Sequence, residues 1–288
     1  MLELVFVIVI MGIIGKFGFE FLARAYQSFI FTSVNHTLQE NSATALEFIS
    51  KRLQYRIKDS VIARIPGVRF DALASINQAQ ALQYTVLEWI STDIDGFRGN
   101  ALPFWSGIID VDDAVAINSN GALLVSPATN TAALNALIAN LSNSTLADAA
   151  LYFVGSTSDI TLDYGWDQNA LQNQNASMHP IDASNARVDA FIPFVGNFRG
   201  VDIYEYYKLS WTASALVLNN ITGDLFFHTD YQPWLGENFN NVIRPSLLMQ
   251  NVDTFKFRAV GSLIKIQICV NNNLIQGNYS ICKEKTIY

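Results

Sequence analysis

Residues that carry chemistry are scarce in this chain. Its 288 residues include two cysteines and three histidines, which leaves little material for a metal centre or a thiol catalyst. His36, His179 and His228 have no neighbour at a metal-ligand spacing such as His-x3-His or Cys-x2-Cys, so each is read as a surface or hydrogen-bonded histidine. Gly-x-Ser-x-Gly, a Gly-Lys-Ser/Thr phosphate loop and Gly-x-Gly-x-x-Gly are all missing, and nothing nominates a nucleophile elbow or a nucleotide cradle. Positive charge is short as well. The net charge of −7 and a pI near 4.9 have the wrong sign for a phosphate-backbone binder, so direct nucleic-acid binding is not indicated. No second stretch of about 18 apolar residues follows Gly15, and one membrane crossing at most is expected.

What is present begins at the first residues. Met1 to Gly15 is an apolar run broken by one acid, Glu3. A charged side chain near the centre of a membrane helix costs about 2.5 to 3.5 kcal/mol, whereas each Leu, Ile, Val or Phe returns about 0.3 to 0.6 kcal/mol. Glu3 therefore cancels several good residues and needs a role. The run is also short, because a helix from Leu4 to Gly15 covers roughly 18 Å against about 30 Å of bilayer core. Lys16, Glu20 and Arg24 then recur at spacing four beside Phe17 and Phe21, a pattern of partners along one helix face, so the helix is expected to run on. A secretory signal peptide would have basic residues before its apolar core and a small-residue cleavage site after it, and neither is present.

The segment Met1-Leu-Glu-Leu-Val-Phe-Val-Ile-Val-Ile-Met-Gly-Ile-Ile-Gly15 resembles the amino-terminal segment of type IV pilins and type II secretion pseudopilins. In that family a prepilin peptidase removes a short basic leader ending in Gly. The new terminal residue, usually Phe, is N-methylated and is commonly followed by Thr. Those residues are missing here, so Met1 is expected to stand at the third position of the processed protein, with Glu3 on the family's glutamate. The DNA upstream of the Met1 codon is then expected to encode a basic stretch followed by Gly-Phe-Thr or a close variant. The family's proline beyond the glycine that Gly15 resembles is replaced by Lys16 to Glu20, so the family's bend or melted segment is not carried over.

The resemblance implies an assembly role for Glu3, as the partner of a neighbouring subunit's terminal amine in a bundle of amino-terminal helices; pairing offsets the desolvation of both charges. It implies further partners: other pilin or pseudopilin subunits, the inner-membrane assembly platform, the prepilin peptidase and the membrane itself. The implied location is the bacterial inner membrane, single-pass with the head periplasmic, and then a pilus, a pseudopilus or the cell surface.

The expected fold class is α+β, a long amino-terminal helix packed on a mainly antiparallel, pilin-like β-sheet head. Residues 1–24 form the hydrophobic transmembrane and assembly helix. Residues 25–65 continue it as an amphipathic helix, with no Pro or Gly from Ala25 to Arg64 and apolar positions at Leu38, Ala45, Leu46, Ile49, Leu53 and Ile57. The end is expected near Ile65-Pro66-Gly67, and Ser33 to Asn35 is a weak point. Residues 66–288 form the head, with strands expected at Gln83 to Ile90, Ala150 to Val154 and Tyr206 to Trp211. Hairpins are expected to join Ala215–Leu218 to Asp224–His228, and Thr254–Arg258 to Leu263–Cys269. An Ala-, Asn-, Ser- and Thr-rich stretch, residues 114–184, reads as a loop-rich lobe with a helical patch from Ala132 to Leu141. The carboxyl-terminal order of strands also resembles larger minor pilins and minor pseudopilins, which agrees with the chain's length.

Cys269 and Cys282 flank a turn-rich stretch that is able to bring adjacent strands together; two separate buried thiols are the alternative. A disulfide closing a loop of about 15 residues contributes around 3 kcal/mol in the chain-entropy model, and members of the family carry a similar carboxyl-terminal bridge. Asp93/Asp95 and Asp110/Asp112/Asp113 read as solvated loop acids. Since some pseudopilins bind calcium in the head, Asp93 and Asp95 are the weak calcium candidates, although they lack the full ligand set of an EF-hand loop. No other cofactor is expected. Asn-x-Ser/Thr sequons at Asn35, Asn140, Asn143, Asn175, Asn220 and Asn278 reflect abundant asparagine. Three function classes follow: a minor pilin or pseudopilin; a membrane-anchored extracytoplasmic binding or adhesion module using Trp105, Trp166 or Trp234, which read equally as core; and an anchored enzyme or sensor. The first is preferred and a catalytic role is not expected.

Overall fold

The computed structural model describes residues 2–77, 81–99, 101–112, 123–271 and 280–288. Met1, Asp113, Asn278, residues 114–122 of the Asn-rich lobe and residues 272–279 between the cysteines lie outside the described residues.

One helix, α1 (Leu2–Leu53), runs for 52 residues, about 78 Å at 1.5 Å per residue. It passes through Ser33 to Asn35 without a break, and the Thr32 and Thr37 hydroxyls donate to the carbonyls of Ser28 and Ser33, one turn back, at 2.9 and 3.1 Å. It is partly buried at Val34 and Asn35, meets the core at Leu38, and burial deepens through Ser42, Ala45, Leu46, Ile49 and Leu53, a stripe at spacing three and four.

The helix stops at Leu53, not near Ile65. Arg56 caps its end by donating from Nη1 to the Leu53 carbonyl at 2.8 Å. The chain then joins a sheet, where the Ile57 N–H donates to the Ile90 carbonyl and the Thr92 N–H to the Tyr55 carbonyl, both at 2.9 Å. The β-branched run that follows forms β1 (Ile62–Ile65), and Pro66-Gly67 makes the turn into β2 (Arg69–Ala72). Gly67 has a φ of 72°, the left-handed region that favours glycine. Pro-Gly therefore marks a hairpin, and Ile57 lies in a different core from the helical stripe.

β1 and β2 belong to a six-stranded sheet with β3 (Val86–Ser91), β9 (Thr212–Asn219), β10 (Asp224–Thr229) and β11 (Ser246–Met249), in the order β11-β10-β9-β3-β1-β2. A five-stranded sheet has the order β4-β7-β6-β5-β8, from β4 (Leu124–Val125), β5 (Ala150–Phe153), β6 (Met178–Ala183), β7 (Ala190–Pro193) and β8 (Tyr207–Ser210). The third sheet is β12 (Val252–Val260), β13 (Leu263–Asn271) and β14 (Ser280–Ile287). Neighbouring strands are antiparallel in all three. Both expected hairpins form, β9–β10 and β12–β13.

The sheets are stacked on α1 in layers. The helical stripe meets Leu87, Trp89, Leu216 and Phe227 of the six-stranded sheet and Ile264, Ile266, Ile268 and Ile287 of the three-stranded sheet. On the opposite face of the six-stranded sheet, Ile62, Val86 and Ile90 pack with Tyr152, Trp166 and Trp234. At the five-stranded sheet, α3 (Thr131–Leu141) contributes Leu134 and Ile138 to a third core, and Leu134 lies close against Gly96 of a short helix, α2 (Asp95–Arg98). β3 is buried on both faces, which explains its unbroken run Val-Leu-Glu-Trp-Ile. The stretch read as a loop-rich lobe carries α3 and the strands β4 to β6, so its described part is a sheet-and-helix layer.

Candidate functional site

The exposed half of α1 is the candidate site. From Leu4 to Phe31 its large apolar residues face outward on every side, Leu4 at 67% and Phe19 at 76% exposure. Its most apolar 18-residue stretch has a mean hydropathy of 2.2 and no part of it is buried. The helix is thus long and apolar enough to cross a membrane. Water is a poor solvent for such a surface, and lipid or other helices are good ones.

Glu3 lies in the first turn of α1, and among the described residues no side chain pairs with it. Lys16 and Glu20 face each other one turn apart at 3.9 Å, both exposed, which provides a partner for the charges that interrupt the apolar surface. Gly12, Gly15 and Gly18, at spacing three, have open space where a side chain would stand. They present bare backbone that another helix is able to approach closely.

Cys269 and Cys282 are bonded to each other and stand directly opposite in the β13–β14 register. Alternation sets their side of the sheet: Ile264, Ile266, Ile268 and Val270 point toward the core, whereas Lys265, Gln267 and Cys269, itself buried, point the other way. The bridge lies on the outer face of the three-stranded sheet, with Cys282 exposed.

Asp93 and Asp95 do not form a cation site. The Asp93 carboxylate is buried and accepts from N–H donors on both oxygens: Trp105 Nε1 at 2.9 Å on Oδ2, and Trp211 Nε1 at 3.3 Å and the Gly96 N–H at 3.2 Å on Oδ1. Burial pushes its carboxyl up, against the pull of those donors. Asp95 is exposed in the first turn of α2. Calcium needs free oxygen ligands converging on one point, and Asp93 instead anchors two indoles. Asp110 closes a turn by accepting from the Asp112 N–H at 3.1 Å. Among the described residues no group of three His, Cys, Asp or Glu is placed to hold a metal.

The histidines and tryptophans also find their places. His36 is exposed on α1, 3.8 Å from Glu40; His228 is half-buried, with Nδ1 2.9 Å from the Phe239 carbonyl oxygen; His179 is fully buried. Trp105, Trp166 and Trp234 are core residues, each no more than 2% exposed, so they are not available to a partner.

Two groupings escaped the sequence reading because their members are far apart in the chain. Arg64 and Tyr231 both bond the buried Glu88, with Tyr231 OH at 3.0 Å, and Arg64 also donates to the Trp166 carbonyl at 2.9 Å. The second is a cleft of about 610 Å³ between the end of α1, α2 and the start of β8, lined by the rings of Tyr55, Phe97 and Tyr206 and by Arg56, Arg98 and Lys208. Compared with known protein families, with characterised proteins and with solved structures, the chain matches none.

Proposed function

We propose that this chain is a structural subunit, a minor pilin or pseudopilin, of a type IV pilus or a type II secretion pseudopilus. The observation that carries this reading is the exposed half of α1: apolar around its circumference, marked by Glu3 in its first turn, and continuous with the half that the head holds. A bundle of such helices removes that surface from water. It also places Glu3 where a neighbouring subunit's terminal amine neutralises it. Gly12, Gly15 and Gly18 fit close helix packing in the same bundle. The Cys269–Cys282 bridge fits a head on the periplasmic or outer side of the membrane, where disulfides persist. The inner membrane, the assembly platform and the prepilin peptidase are the partners this role requires.

Glu3→Ala and Glu3→Gln test the reading. Both variants are expected in the membrane with a folded head, since removing the charge lowers the insertion cost by about 2.5 to 3.5 kcal/mol. Their incorporation into filaments is expected to fall tenfold or more by immunoblot of sheared fibres. Normal incorporation of either variant overturns the proposal. A second reading, a membrane-anchored extracytoplasmic binding module, is favoured by the aromatic cleft; it expects Glu3→Ala to change nothing and a prepilin peptidase to be dispensable.

A further inference from the structure

The cleft beside the end of α1 gathers what is otherwise dispersed on this surface. Three rings on three separate segments, Tyr55, Phe97 and Tyr206, line it at 37%, 47% and 56% exposure. The buried Trp105 ring packs against Phe97 at a tilt of 52°, with centroids 4.8 Å apart. Arg98 fixes the Tyr55 ring, donating to its hydroxyl at 3.1 Å while its guanidinium carbon lies 5.9 Å from the ring centre. These are flat apolar walls with ordered backing, in a volume of about 610 Å³, inside the range of roughly 300 to 1,000 Å³ typical of small-molecule sites.

Its charge runs against that of the chain. The molecule carries −7 overall, yet three cations line this cleft, and among its described lining residues Asp93 is the only acid. That acid is occupied by the Trp105, Trp211 and Gly96 donors. Arg56 is buried with its guanidinium bonded to the backbone oxygens of Leu53, Ser262 and Tyr288, so its hydrogen bonds are satisfied away from the cleft's rings. Lys208 is half-buried, and its ammonium forms no hydrogen bond or ion pair with the described residues. Burial weakens its hold on a proton, and Lys58 and Arg56 add repulsion. The acid acting on it in the opposite sense, Asp59, accepts from Tyr152 OH at 3.0 Å. A half-buried ammonium among apolar walls gains most from an anion that brings its own apolar body.

We propose that this cleft binds a small organic anion, a carboxylate carried on a flat apolar ring system, with the carboxylate at Lys208 and the ring among Tyr55, Phe97 and Tyr206. The site stands on the head alone and is independent of how α1 assembles.

The probe pair is 1-naphthaleneacetate and its neutral amide, titrated into the full chain in detergent micelles by calorimetry and by tryptophan fluorescence, with empty micelles as the blank. The acid is expected to bind saturably at one site, and at least tenfold more tightly than the amide. Lys208→Met is expected to weaken the acid tenfold or more and leave the amide unchanged; Lys208→Arg retains the preference, and Tyr206→Ala weakens both ligands. Non-saturating uptake of the acid, equal binding of acid and amide to the unaltered protein, or indifference to Lys208→Met in a variant with an unchanged melting curve each overturns the proposal. The acid-to-amide comparison on the unaltered protein decides the matter even where a variant fails to fold.

Discussion

His179 sits with its ring against Phe153, centroids 4.8 Å apart, and burial lowers its pKa from 6.5 to about 4. Between those values the unfolded chain takes up a proton that the folded chain refuses. The stability held by the neutral ring is therefore complete above pH 6.5 and is lost as pH falls toward 4, an effect on the order of 3 kcal/mol. Urea unfolding at both ends of that window is expected to show a smaller acid loss for His179→Gln than for the unaltered protein; equal losses would dismiss the residue as the cause. Glu88 is the harder case, since burial pushes its carboxyl up while Arg64 and Tyr231 hold the ionised form. Arg64→Met leaves that carboxyl without its cation and is expected to cost about 3 to 5 kcal/mol by urea unfolding. Adding Glu88→Gln is expected to restore part of the loss, because the stranded charge is then gone.

Two elements carry the head's attachment to α1. On the helix, Ile49 is buried between two sheets, and Ile49→Ala is expected to cost about 2 to 5 kcal/mol through the cavity it leaves. In the three-stranded sheet, the disulfide pins β14 to β13 while β14 also pairs Lys285 with Glu47 of α1. Reducing the bridge, or Cys269→Ser with Cys282→Ser, is expected to destabilise the head by around 3 kcal/mol, read as a lower urea midpoint; an unchanged midpoint would show that sheet pairing alone holds β14. The helical stripe and the β9–β10 and β12–β13 hairpins were legible because each repeats its apolar positions with the period of its own element. The segment Arg56 to Ile65 was not, since Ile57 fits the helical spacing equally well and only pairing with β3 assigns it to the sheet. Of the short strands, β5 was expected at Ala150 to Val154 and forms from Ala150 to Phe153, whereas β4 and β6 were hidden for a related reason: two to six residues leave little period to read.

At the scale of the molecule, the residues of α1 that pack on the core cluster start at Leu38. A chain lacking residues 2–34 is therefore expected to fold with its disulfide formed and to remain in solution without detergent, as judged by circular dichroism and gel filtration. Aggregation of that truncated chain would mean that the exposed half supports the head as well as anchoring it. The same division marks what each level of description decides. The amino-acid sequence by itself determined the long helix, its apolar first half, the misfit of Glu3 within it and the β character of the head, because periodicity, hydropathy and charge are properties of neighbouring residues. Only the tertiary structure decided where the helix ends, that Asp93 anchors two indoles and that Trp105, Trp166 and Trp234 are core. Tertiary structure also brought Tyr55, Phe97, Tyr206 and Lys208 around one cleft. Each of those outcomes depends on groups distant in the chain meeting in space, where burial sets the cost of every unpaired charge and the packing of sheets decides which charges find partners.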